Sequence, residues 1–146
     1  MTYSINLDDY TKWQDIYKDE FKPCLDSLVE KRDLLLNSGK PEEHAVKELC
    51  DDYCVLFDKA CLLLRWFLAN KGLFQGKPVM IIKEAFSVEL LDDGMSWINA
   101  YHLVKTYREK PETKGIASMI FLYIAPQNLK IYFDLGEKLL GYKENV

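Results

Sequence analysis

The sequence predicts an all-α protein, an up-and-down bundle of about five helices, and three observations carry that expectation. Apolar residues recur at steps of three and four along most of the chain, which is the spacing of one helix face. Proline and glycine are few, five and seven in 146 residues, and they gather at a few punctuation points. No alternation of apolar and polar residues persists beyond a few positions, so no strand is expected.

The first helix starts at "NLDD", where Asn6 is placed as N-cap with Asp9 three residues on, a variant of the capping box. Its pattern runs to about Phe21. Pro23 should kink or restart it, after which Leu25, Leu28, Val29, Leu35 and Leu36 continue one face. "NSGKPEE" ends this rod, because Gly39 suits a left-handed C-terminal position and Pro41 suits the first turn of the next helix. The second helix, about 41 to 70, is the longest. Val46, Leu49, Tyr53, Phe57, Leu64 and Leu68 share its apolar side, and "VLFDKACLLLRWFL" is apolar almost all round, as in a central, buried helix.

"NKGLFQGKP" reads as a loop, and a third helix is expected from about Val79 to Leu91. "DDG" breaks the chain, with Asp92 or Asp93 available to cap a fourth helix over about 95 to 109 and Gly94 easing the turn. "EKPETKG" closes that helix. A last helix, about 114 to 141, carries Pro126, which should kink or divide it near Ala125. The whole chain, 1 to 146, is read as one domain, since a chain of this length can bury roughly two-thirds of the surface it exposes when unfolded.

Composition narrows the classes of function. Hydrophobic residues make up 49% and charged residues 29%, a globular balance that argues against disorder. The longest apolar run, "GIASMIFLYIA", falls well short of the ~20 residues needed to cross a bilayer, so no membrane role is expected. "MTYSINLDDY" has neither the basic nor the apolar region of a secretory signal, which points to the cytoplasm. Of the four cysteines, Cys50, Cys54 and Cys61 are separated by four and seven residues and fall on one stripe with Phe57, Leu64 and Leu68. Buried, reduced thiols are therefore expected, because Cys24, His44 and His102 complete no familiar zinc spacing. No metal and no cofactor are expected.

Net charge is −4 but unevenly divided: residues 1 to 60 carry eight basic and fourteen acidic side chains, a net of −6, leaving +2 for the remainder. The basic excess is local, with Lys105, Arg108, Lys110 and Lys114 within ten residues. One reading is a solvated helix end, where cations favour the negative end of the helix dipole. The other is a small anion-binding or RNA-facing patch; overall acidity argues against a broad nucleic-acid surface.

On the fourth helix, steps of three and four place His102, Lys105 and Arg108 along one side, with Trp97 and Tyr101 a turn apart on another. An imidazole with a pKa near ~6.5 can move protons at neutral pH, and two cations beside it would stabilise a phosphate. His102 and Lys105 are the candidate catalytic residues. Trp97, Tyr101, His102, Lys105 and Arg108 are the candidate substrate-binding set. No Ser-His-Asp or Cys-His arrangement is evident, and Gly-rich phosphate loops are missing, which argues against a nucleophilic enzyme.

The order of "DDYCVLFDKACLLLRWFLANKG", "IIKEAFSVELLDDGMSWINAY" and "KTY" resembles the nucleotidyltransferase substrate-binding proteins, a branch of the HEPN superfamily of small helical bundles. In that branch "REAF" opens a helix and "DG" precedes a Trp; here they appear as "KEAF" at 83 to 86, Asp93-Gly94 and Trp97. The resemblance covers roughly residues 45 to 140. It implies a homodimer and a minimal nucleotidyltransferase as partner, in pairs that look like toxin–antitoxin modules, with a nucleotide or RNA as possible ligand. It also implies that Tyr107 is a modification acceptor for nucleotide transfer, a role that asks for an exposed phenol. The bland alternative is that Tyr107 is a half-buried aromatic at the end of the fourth helix.

The chain departs from the ribonuclease motif of that superfamily. Lys105-Thr106-Tyr107 stands where His-x-Tyr would fall, and Tyr101-His102 where Arg-Asn would fall. Lysine, with a pKa near ~10.4, is a poor proton shuttle unless strongly desolvated. The favoured reading is thus a non-catalytic binding subunit for a nucleotidyltransferase. Its rivals are a divergent metal-independent HEPN ribonuclease using His102, Lys105 and Arg108, and a helical interaction module unrelated to nucleotides.

Overall fold

The computed structural model describes residues 12–39, 42–73, 76–110, 120 and 129–144. The expected Asn6 cap and the break at Pro126 lie outside those residues. The first rod comprises α1 (Lys12–Ile16), a π-helical turn (Tyr17–Phe21) and α2 (Lys22–Asn37). Pro23 explains the π turn. Its ring cannot donate a hydrogen bond and clashes with the carbonyl four residues back, and the Lys22 N–H instead reaches the Tyr17 carbonyl, five residues back. The predicted kink is thus absorbed as a local change of helical register. The rod ends where Gly39 adopts φ +79°, the left-handed conformation its position asked for.

The long helix α3 (Glu43–Asn70) lies at the centre. Thirteen of its side chains are buried, among them Leu49, Tyr53, Phe57, Leu64 and Leu68 of the expected stripe. Lys31 to Asp52 at 2.6 Å and Lys59 to Glu20 at 2.8 Å bind it to the first rod, which therefore runs antiparallel to it. The helix closes in a Schellman turn: Gly72 sits at φ +80°, its N–H reaching the Ala69 carbonyl, and the Leu73 N–H reaches the Leu68 carbonyl.

Helix α4 (Pro78–Ser87) stops about four residues short of the expected Leu91, and the cause is a second Schellman turn with no glycine in it. Glu89 takes the left-handed position at φ +63°, the Glu89 N–H reaches the Phe86 carbonyl and the Leu90 N–H reaches the Ala85 carbonyl. Leu90 and Ala85, the pair such a turn brings together, are both buried. Then come α5 (Gly94–Glu109) and α6 (Lys130–Glu144), the last matching the end of the predicted final helix.

The rods meet around Tyr132 of α6. Its ring is edge-on to Trp97 of α5 at 5.0 Å and to Tyr53 of α3 at 5.8 Å, and tilted against Phe21 at 6.4 Å. Its hydroxyl donates to the Tyr53 hydroxyl at 3.0 Å, so the two phenols enter the core with their polar ends paired. The architecture is an all-α helical bundle, without a strand among the described residues. No helix among them is long and apolar enough to cross a membrane.

Candidate functional site on helix five

Helix α5 holds all the residues singled out for chemistry, and its first turn fixes its direction. Asp93 is the N-cap: one carboxylate oxygen accepts the Ser96 N–H at 3.0 Å and the other accepts the Ser96 hydroxyl at 2.6 Å. Those two bonds hold the Asp93 carboxyl below its ordinary pKa. Gly94 has no special dihedral, and a Cβ there would stand 3.1 Å from the half-exposed Phe86 ring, which would have to shift slightly to admit it. Across the turn, the Lys138 ammonium of α6 donates to the Glu89 carbonyl at 2.7 Å and to the Asp92 carboxylate.

The helix then divides its residues between core and solvent. Trp97, expected in the substrate-binding set, is 1% exposed and packs on Tyr132 inside the bundle, out of reach of a ligand. Tyr101 is half-buried, with its ring 6.4 Å from Phe57 and 5.3 Å from His102. Met95, at 70% exposure, is open to solvent, as are His102 and Lys105.

Arg108 does not join His102 and Lys105. Each residue turns a helix by about 100°, so three-residue steps slip back by about 60° and Arg108 lies roughly 120° around from His102. It faces α3, where its guanidinium makes a two-pronged ion pair with Asp58 at 2.9 and 2.6 Å. The predicted row of three is a pair, and its third member, Arg108, is already neutralised by Asp58.

Tyr107 departs furthest from the role that the resemblance implies for it. It is 4% exposed, and its hydroxyl donates to the Asp51 carboxylate of α3 at 2.5 Å. Burial first, then the bond to Asp51 and its charge, raise the phenol well above its ordinary pKa. The phenolate that would attack a nucleotide is therefore disfavoured. The exposed-phenol condition is not met, and the half-buried alternative understates the burial.

Asp51 and Asp58 are the residues the sequence reading missed. They stand seven apart on α3, on the side that flanks Cys54, and together they hold the end of α5. Two acids seven residues apart on a helix with a long apolar stripe were the available signal. Cys50, Cys54 and Cys61 are buried and outside any disulfide, as their stripe predicted. Burial pushes Cys54 up to about 11 and Cys61 up to about 12. Among the described residues no three His, Cys, Asp or Glu side chains are grouped as a metal would need. Comparison with protein-family models, curated proteins and solved structures finds no match. The resemblance to the nucleotidyltransferase substrate-binding proteins therefore rests on the quoted segments alone.

Proposed function

We propose that the chain is a binding subunit that does no chemistry of its own and offers the outer face of α5, with Met95, His102 and Lys105, to a minimal nucleotidyltransferase. One observation carries this over the ribonuclease reading. The cation and the phenol that strand cleavage would recruit, Arg108 and Tyr107, are both tied to α3, by Asp58 and Asp51. His102 and Lys105 are left as exposed polar contacts, which suit recognition of a surface or a nucleotide phosphate better than concerted proton transfer. The partner's identity comes from the segments "KEAF", Asp93-Gly94 and Trp97 and from the resemblance they carry. On the same reading the chain is one half of a toxin–antitoxin pair located in the cytoplasm, and it is a homodimer.

Nucleotide transfer to Tyr107, which the resemblance also implies, requires the phenol to leave Asp51 and the end of α5 to open. The test is co-expression with the product of the adjacent gene, followed by co-purification and intact mass. A stoichiometric complex is expected, weakened by Met95→Asp and by Lys105→Glu in proteins that keep their helical signal. An added nucleotide mass that survives His102→Ala and vanishes in Tyr107→Phe would place the acceptor. Robust metal-independent RNA cleavage by the purified chain, lost in His102→Ala, would overturn the proposal. A monomer mass by light scattering across micromolar concentrations would remove the homodimer from it.

A further inference from the structure

We draw no further inference here: the strongest candidate, the open cleft between the end of α4 and α6 lined by Phe86, Glu89, Asp92 and Lys138, carries nothing because no observation in the structure shows what covers it.

Discussion

Replacing Tyr107 by Phe removes one hydroxyl and keeps the buried ring, so it isolates the bond to Asp51. That bond is short, 2.5 Å, and its acceptor is charged. Asp51 is exposed, so water takes the place of the phenol once the hydroxyl is gone. The loss is then the net worth of a charge-assisted bond at a wet edge, about 1 kcal/mol, without the larger penalty of a stranded charge. In a chain of this length it should lower the melting temperature by roughly 2–4 °C. Asp51→Ala should cost a similar amount. The double variant should cost little more than either single one, giving a coupling of about 1 kcal/mol by urea unfolding followed by circular dichroism. Additive single effects, with coupling under about 0.3 kcal/mol, would show that the bond does not tie α5 to α3 and would return Tyr107 to the list of available phenols.

Trp97→Ala should be far more costly, about 3–5 kcal/mol, because it empties the contact with Tyr132 at the centre of the bundle; a loss below about 1 kcal/mol would place Trp97 at the surface. Glu89→Gly should raise stability by about 1 kcal/mol in thermal unfolding, since it relieves a left-handed backbone while keeping the carbonyl that Lys138 binds; a loss would deny the strain. Cys54 and Cys61 have folded pKa values of about 11 and about 12, raised from 9.0, so their contribution is complete below pH 9 and is lost as pH rises through the folded values. The urea midpoint should therefore fall from about pH 9 upward, and less so in Cys61→Ala; a midpoint that rises there would reverse the sign. Under a thiol reagent at neutral pH the half-buried Cys24 should label first and the three buried cysteines only on unfolding, which mass spectrometry can follow.

What was legible in the sequence was whatever local rules decide alone. The stripe of α3 follows from residue spacing, the stop at Gly39 from one residue type at one position, and the cap from the acids at 92 and 93, of which Asp93 takes it. The end of α4 was not legible, because Glu89 holds a place where glycine is the usual signal. Its support is tertiary: buried Leu90 beneath it and Lys138 of a distant helix bonded to its carbonyl. Pro23 announced a disturbance but not its form, since a kink and a π turn both accommodate the lost donor and the ring's clash with the preceding turn.

The candidate site failed in the sequence for a related reason. Trp, Tyr and Arg serve both recognition and packing, and a helix exposes only part of its circumference, so residue type cannot say which of these a given position serves. On α5 the choice is made by α3 and α6: Tyr132 takes Trp97, Asp51 takes Tyr107 and Asp58 takes Arg108. Each partner lies at least 35 residues away in the chain, beyond the reach of any local pattern. The residues of α5 left open to solvent are Met95, Asn99, His102, Lys105, Thr106, Arg108 and Glu109, and of these Arg108 is tied to α3. A function carried by α5 must use that remainder, or else break the contacts to Asp51 and Asp58 first. Both acids are solvent-exposed, and the pair with Arg108 is of the kind worth at most about 1 kcal/mol, so an anionic partner surface could displace Asp58 at small cost. Releasing Tyr107 is harder, because its ring must leave the core as well as its hydroxyl leaving Asp51.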